Sequence, residues 1–367
     1  MGRAETKVLF IDKAEETNKL MQKGSVAICL KATSDKVYTF RNYEEAKKTL
    51  KKDAVTLSAD GEKALEMVFR GAINRPFRVY VGFSKGDESF ETDIQKFEGV
   101  QFDWFCAPEF EKKATAIAEW IKKLNEERNL EVKAVVSNSK ADSEYVVNFT
   151  TKKIVMKELG NKNFVEVTPS LFTSRVASAL CGTPLTRAIT NLELLDVASV
   201  ERISNEEYDS RIDAGELLLY NDWDKVRFAR GVNSLTTLTK GDIPKKEERK
   251  KILIISKMHL WKREVKALAN EKYLGNKQNG INEKMGLVTA IKEYCTSLAS
   301  KGIILESFNV DLDMVAQESY LTNEKNIDTT EMTEKEIRDA KTDSYVFIKA
   351  DLLFTDAMED ITITVCC

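Results

Sequence analysis

The sequence predicts an α/β protein, α+β over the whole chain, with two domains and an extended arm at each end. Short apolar runs alternate with amphipathic helical stretches from Val26 onward, which is typical of a largely parallel sheet covered by helices. A proline- and charge-rich stretch, Gly241–Lys251, separates two structured regions, and strand-like runs lie near both termini. The predicted bounds are 1–25 (N-terminal arm), 26–243 and 244–355 (domains) and 356–367 (C-terminal arm).

In the first domain, local patterns define each element. Strands are predicted at VAICL, FRVYVGF and EVKAVVS, and helices at YEEAKKTLKK, GEKALEMVFRGA and EFEKKATAIAEWIKKLNEER. Thr168 and Pro169 have the pattern of an N-cap followed by a first-turn proline, so a helix should run from there to Gly182. Gly182 is expected to take the positive φ of a helix C-cap. Ser204 and Glu207 predict a capping box for the next helix.

In the second domain, strands are predicted at ILIIS, IILESFNV and SYVFIKADLLF. Helices are predicted across MHLWKREVKALANEKYL and NEKMGLVTAIKEYCTSLAS. The chain ends in the alternating run DITITV, in which Ile361, Ile363 and Val365 form one apolar face. The short run from Val8 to Ile11 has a similar strand-like character near the N-terminus.

Composition and charge exclude several classes of protein. The 56 basic and 59 acidic residues give a net charge of −3, which does not suggest a nucleic-acid partner. No apolar run approaches the roughly 20 residues that cross a bilayer, so membrane insertion is not expected. The N-terminus lacks the apolar core of a signal peptide, and synthesis in the cytoplasm is therefore expected.

The residues that usually carry chemistry form no recognisable site. The chain has no GxGxxG, phosphate-binding loop, HExxH or GxSxG motif, and its single histidine, His259, is expected to be packed in a helix. The six cysteines lack CxxC spacing, which favours reduced thiols over a metal site or a disulfide framework. No enzyme, cofactor or metal is therefore expected, and a hydrolase with an unrecognised site stays a remote alternative.

Three phrases carry more information by their order than singly. They are GTPLTRAITNLELL (Gly182–Leu195), GELLLYNDWDKVRFAR leading into RGVNSLTT (Arg230–Thr237), and YLGNKQNG (Tyr273–Gly280). Each one alone fits an ordinary turn. Together, over more than half of the chain, they resemble the contractile tail sheath family of phages and of phage-tail-like bacteriocins such as the R-type, diffocin-like particles.

The resemblance implies a subtilisin-like α/β sheath domain without a protease site, and a C-terminal α+β sheath domain that faces an inner tube. It also implies a helical homo-oligomer of six-fold rings, with an inner tube protein inside and a baseplate and a tail terminator at the ends. The sheath would contract to drive the tube through a bacterial envelope, in a phage tail or phage-tail-like particle assembled in the bacterial cytoplasm and released by lysis. Only a short polar stretch follows FRVYVGF, so the outward β-rich domain of many relatives has no room here.

In the family, both arms add strands to the sheets of neighbouring subunits. The residues expected to do so here are Val8, Leu9, Phe10, Ile11, Ile361, Ile363 and Val365. From the pattern alone, the terminal strands could equally dock on their own domain. One short donated strand is weak alone, but a lattice of such strands is strong through multivalency.

The second domain begins with a basic run. Lys257, Lys262 and Arg263 are the candidates to face the tube, although such a run is more often a solvated helix face. The alternative function is another helical or ring-forming tail component that assembles by strand exchange.

Overall fold

Residues 24–157, 163–238 and 246–365 are described by a computed structural model of the chain. The chain divides into two units between Ile252 and Leu253. The predicted boundary between residues 243 and 244 lies outside the described residues, as does the predicted strand Val8–Ile11. The predicted domain bounds and the N-terminal strand therefore stay predictions.

The first unit is built around a seven-stranded sheet. In chain order its elements are β1 (Ser25–Lys31), β2 (Tyr38–Phe40), α1 (Tyr43–Lys52), α2 (Ala59–Val68), β3 (Arg78–Ser84), α3 (Phe90–Asp93), β4 (Trp104–Cys106), α4 (Ala114–Glu126), β5 (Lys133–Ser137), β6 (Val146–Phe149), β7 (Ile154–Lys157), β8 (Phe164–Val167), α5 (Pro169–Cys181), β9 (Val197–Ser199), α6 (Asn205–Asp213), β10 (Glu216–Leu217), β11 (Leu219–Asp222) and β12 (Lys225–Phe228). The sheet order is β10-β6-β5-β4-β1-β3-β2, and all neighbouring pairs are parallel except β2 with β3. The predicted, largely parallel sheet is confirmed.

Both faces of this sheet are covered. Along β1, Val26 and Ile28 belong to a core shared with α1, α2 and α5, whereas Ala27 and Cys29 belong to a second core shared with α4. Successive side chains of a strand point to opposite faces, so one strand contributes to two cores. This explains why β1 is an uninterrupted apolar run, because a parallel strand between two helical layers has no solvent face.

Helix α5 begins as predicted but ends for a different reason. The Thr168 hydroxyl accepts a hydrogen bond from the Leu171 amide, and Pro169 occupies the first turn. Gly182 has a φ of −84°, so the predicted positive φ is wrong. A Cβ at Gly182 would lie 2.0 Å from the carbonyl oxygen of Asn74, and the Asn74 amide donates to the Gly182 carbonyl at 2.9 Å. Glycine is needed there because another backbone segment approaches closely.

The sequence phrases Gly182–Leu195 and Arg230–Thr237 meet in the folded chain. The Gly231 amide donates to the Thr190 hydroxyl at 2.9 Å, and a Cβ on Gly231 would lie 3.0 Å from Ile189. The Asn233 side chain donates to the Arg249 carbonyl at 2.7 Å and accepts from the Leu235 amide. The small and amide residues of these phrases therefore join distant segments of the first unit.

A tight hairpin connects β11 to β12. Asp222 pairs with Lys225, and Trp223 and Asp224 form the turn between them. Trp223 has a φ of 57° and its residue surface is 97% exposed. Turns of this length usually place glycine, asparagine or aspartate at positive φ, so a tryptophan there is an outlier.

A buried carboxylate connects three segments of the first unit. Asp196 accepts from Arg70 at 2.7 Å and from Arg175 at 2.8 and 3.1 Å. Burial raises the pKa of Asp196, but the two guanidinium groups outweigh it and lower the pKa to about 2. The carboxylate thus stays charged and holds the segment after α2 and the middle of α5 next to β9.

The second unit has four helices and a two-stranded sheet among its described residues. Its elements are α7 (Ile252–Lys272, which begins one residue before the division), α8 (Ile281–Ser300), β13 (Asn309–Leu312), α9 (Met314–Asn323), α10 (Glu334–Asp339) and β14 (Ile348–Asp351). The strand predicted at ILIIS is wrong, because these residues form the first turns of α7. Ile252, Leu253, Ile254 and Ile255 are all buried, and a short buried apolar run has the same pattern in a helix and a strand.

Candidate assembly site

The β13–β14 sheet of the second unit offers unpaired strand edges. The two strands are antiparallel, with Val310 opposite Ala350 and Leu312 opposite Ile348. Within the described residues, no third strand pairs with either of them. Free main-chain donors and acceptors along such an edge are the groups to which another strand can bind.

The loop Tyr273–Gly280, which precedes α8, contacts the chain segment that leads into β14. The Asn279 side chain donates to the carbonyl oxygens of Asp343 at 2.7 Å and Tyr345 at 2.9 Å. Tyr345 in turn stacks on Phe347, which lies next to β14. The phrase YLGNKQNG therefore positions the chain that enters the sheet.

A second set of hydrogen bonds holds the chain where it leaves β14. The Leu305 amide donates to the Leu353 carbonyl at 2.8 Å, and the Thr355 amide donates to the Ile303 carbonyl at 3.1 Å. The Lys257 ammonium donates to both the carbonyl and the hydroxyl oxygen of Thr355, at 2.6 Å each. Thr355 thus anchors the start of the C-terminal arm.

Lys257 is engaged inside the second unit. Only 2% of its surface is exposed. Burial lowers its pKa to about 8, although the charge of Asp356 acts in the opposite direction. An ammonium group held in this way is not available to an external acidic surface, so Lys257 is removed from the tube-facing candidates. Its charge could be read from the sequence, but its burial could not.

The C-terminal arm after Thr355 presents its apolar residues to solvent. Ile361, Ile363 and Val365 are 73%, 80% and 76% exposed, and no strand forms in the described part of the arm. The described chain therefore does not bury these side chains in its own core. The other predicted strand residues, Val8, Leu9, Phe10 and Ile11, lie outside the described residues.

The two remaining tube-facing candidates lie on α7. Lys262 and Arg263 are both half-buried, and the Arg263 guanidinium is 3.9 Å from the Glu264 carboxylate. They share the helix with Lys257. Of the three candidates, Lys257 is thus held by Thr355, whereas Lys262 and Arg263 are partly exposed.

The described residues show neither a metal cluster nor a membrane span. No group of three or more His, Cys, Asp or Glu side chains could hold a metal ion in the described ranges. In the same ranges, no helix has the length and apolarity to cross a bilayer. His259 is buried on α7, as the sequence predicted, and Cys29, Cys106 and Cys295 are buried as well.

Comparison with known proteins identifies the family. A tail sheath protein of Clostridium phage phiCD119 is 37% identical over 351 residues, which cover 93% of this chain and 93% of that protein. The chain belongs to the phage tail sheath family. The family description "Phage tail sheath protein central domain" matches residues 85–234. The role of this sheath protein is accordingly structural.

Two solved structures share the fold of this sheath protein. The anti-feeding prophage helical sheath in its contracted state superposes with a TM-score of 0.65 at 13% identity, covering 94% of this chain and 93% of that one. A chain in the 6-fold symmetrised anti-feeding prophage baseplate has a TM-score of 0.64 at 14% identity, with coverages of 95% and 93%. The mixed α/β fold predicted from the sequence is therefore a sheath fold.

Proposed function

We propose that this sheath protein polymerises helically around an inner tube and contracts to drive the tube through a bacterial envelope. The observation that carries the proposal is an exposed, alternating C-terminal arm on a unit whose sheet has open edges. The fold shared with a contracted helical sheath supports a role in such an array. The baseplate likeness supports a baseplate as the partner at one end, and its 6-fold symmetrisation agrees with six-fold rings.

The arm would link copies by strand donation. Ile361, Ile363 and Val365 would enter side-chain pockets of a neighbour while the main chain pairs with an open strand edge. Residues 356–360 lie between the Thr355 anchor and this strand, and five extended residues span about 17 Å. That length lets the strand reach an adjacent copy and lets the two copies change their angle while the pairing persists.

The array would store the free energy of contraction when it assembles. Each main-chain hydrogen bond contributes only about 1 kcal/mol net, yet repetition over every subunit makes the lattice strong. No nucleotide is needed if the extended lattice is the less stable arrangement and a trigger releases it. A tail terminator would close the end opposite the baseplate, and the particle would be a phage tail or an R-type bacteriocin made in the cytoplasm and released by lysis.

Electron microscopy of the purified full-length chain tests the proposal. A sheath forms hollow, striated cylinders of uniform diameter, and we expect the full chain to form them at high concentration. Rings without stacking, or filaments without a lumen, would indicate a different tail component. A monomer at every concentration would contradict self-assembly.

The tube contact is tested by charge reversal on α7. Lys262 and Arg263 would hold the extended sheath on an acidic tube through contacts of about 0–1 kcal/mol each, multiplied by the lattice. Replacing both with glutamate should give particles that contract prematurely, measured as the salt concentration that triggers contraction. The control reverses Lys272 and Lys277, two exposed cations of the same unit. Unchanged salt resistance of the Lys262/Arg263 variant would remove both residues from the tube-facing surface.

A further inference from the structure

The β11–β12 hairpin presents one aromatic side chain to solvent on a rigid support. Trp223 is 97% exposed at the tip, although β11 and β12 are paired up to Asp222 and Lys225. The Asp222 carboxylate also accepts from Arg227 at 2.8 Å, which braces the turn from within. An exposed tryptophan that loses little freedom on binding is the residue type most often found at the centre of protein interfaces.

The backbone at Trp223 indicates that the exposed ring is not a by-product of folding. A φ of 57° is strained for a bulky residue, and glycine or asparagine would relieve it. Among the described residues of the first unit, none buries the ring, since it is almost fully exposed. The sequence therefore keeps a bulky apolar side chain where both local conformation and solvent disfavour it.

A pocket of fitting size lies on the same unit between α1 and α2. Its volume is about 260 Å³, whereas a cavity of about 150 Å³ already holds a benzene molecule. Its apolar lining comes from both helices and the loop that joins them: Tyr43, Leu50, Leu57 and Leu65. Lys47 and Lys51 lie at its rim, together with one carboxylate, Glu62. An indole ring could thus lie against apolar side chains in this half-open pocket, with ammonium groups close to its face.

The tip and the pocket are complementary in charge. Trp223 is flanked by Asp222 and Asp224 in the sequence, and Asp224 is exposed. The two lysines at the pocket rim are exposed as well. Insertion of the ring would bring the exposed Asp224 carboxylate to the two ammonium groups around an apolar centre, while Asp222 stays paired with Arg227. Charged groups around an apolar centre are the usual arrangement of an interface with a polar rim.

The tip and the pocket lie on elements that follow opposite edge strands of the sheet, which favours a contact between copies. Helix α1 directly follows β2, which is one edge strand of the seven-stranded sheet. The hairpin directly follows β10, which is the opposite edge strand. If Trp223 near one edge binds the pocket near the other edge of the next copy, the contact is head-to-tail. Such contacts build rings or open helical arrays.

We propose that Trp223 of one copy inserts into the α1–α2 pocket of the next copy. This contact rests on the proposed self-assembly of the sheath, and it is separate from strand donation by the arms because both of its surfaces lie in the first unit. It would set the lateral order of subunits, while the arms keep neighbours connected.

The test compares variants of the full-length chain by sedimentation and electron microscopy. Trp223→Gly should raise the critical concentration for assembly at least tenfold, while relieving the backbone strain and leaving thermal stability equal or higher. The double change Lys47→Glu and Lys51→Glu should have a similar effect. Its matched control is Lys48→Glu with Lys52→Glu, on the same helix but outside the pocket, which should assemble like the unaltered chain.

Two further measurements make the pairing specific. Lys51→Glu alone should weaken assembly, and adding Asp224→Lys to the same chain should restore it. In a Trp261→Phe background, acrylamide should quench Trp223 fluorescence in the monomer and several-fold less after assembly, since Trp104 and Trp120 are already buried and Trp261 is only half-buried. Assembly of Trp223→Gly at the original concentration would overturn the contact, as would an effect of the lysine pair without an effect of Trp223. Failure of the unaltered chain to assemble would overturn the proposed function as well.

Discussion

Removal of residues 361–367 should abolish assembly and leave the subunit folded. The three apolar side chains of the arm are exposed in the described chain, so their loss takes nothing from either core. Burying Ile361, Ile363 and Val365 on a neighbour would contribute roughly 5 kcal/mol before the cost of ordering the strand. Losing even half of this changes an association constant by about 100-fold. We expect no cylinders at concentrations where the full chain is completely assembled, with an unchanged circular dichroism spectrum.

A substitution distinguishes the effect of the arm's apolar side chains on assembly from the effect of its length. Changing Ile361, Ile363 and Val365 to threonine keeps the chain length, the backbone and a high strand propensity, but removes the apolar face. This variant should also fail to assemble. Changing Thr362 and Thr364 to serine alters the opposite face and should have little effect. Cylinders from the truncated chain would contradict strand donation, and an unfolded truncated chain would show that the arm docks on its own subunit.

Replacement of Asp196 with alanine should destabilise the first unit by about 3–5 kcal/mol. The change leaves the buried Arg175 and the largely buried Arg70 without the carboxylate that both of them contact. Unpaired buried charge costs more than the original pair contributed, because the guanidinium groups have already lost water. Denaturant unfolding followed by the fluorescence of Trp104 and Trp120 measures the effect, since both rings are buried in this unit.

An exposed ion pair provides the control. Asp222 accepts from Arg227 at 2.8 Å, the same distance as the Arg175–Asp196 contact, but its side chain is more exposed. Asp222→Ala should therefore cost about 1 kcal/mol or less. Equal losses of unfolding free energy in Asp196→Ala and Asp222→Ala would show that the burial of Asp196 adds nothing to stability.

Lowering the pH should remove the contribution of Asp196 to the free energy of unfolding over a defined pH range. Its pKa in the folded chain is about 2, below the ordinary value of 3.8 for aspartate, so the unfolded chain takes up the proton first as the pH falls. The stability from this group is complete above about pH 4 and is lost as the pH falls towards 2. The difference in unfolding free energy between the native chain and Asp196→Ala should shrink over that range. A difference that is constant from pH 5 to pH 2 would contradict the assignment.

Much of the fold could be predicted from the sequence because it depends on local patterns. Helix α1 covers Tyr43–Lys52 as predicted, and the Thr168 cap lies where its own neighbours place it. The alternation in Ile361, Ile363 and Val365 was equally visible, because a two-residue period needs no knowledge of the partner. The order of the glycine- and asparagine-containing phrases identified the family, and the 37% identity to a tail sheath protein supports that identification.

Other features depend on contacts between residues far apart in the chain, and only the tertiary structure could decide them. The run ILIIS has the pattern of a buried strand but forms a helix, because burial on all sides removes the periodicity that distinguishes the two. Gly182 is required by the approach of Asn74, which is more than 100 residues away, and Lys257 is buried against Thr355. The sequence by itself determined the elements, the caps and the family. The tertiary structure decided which charges are buried, which rings are exposed and which edges stay open, because these properties belong to the packing of distant segments.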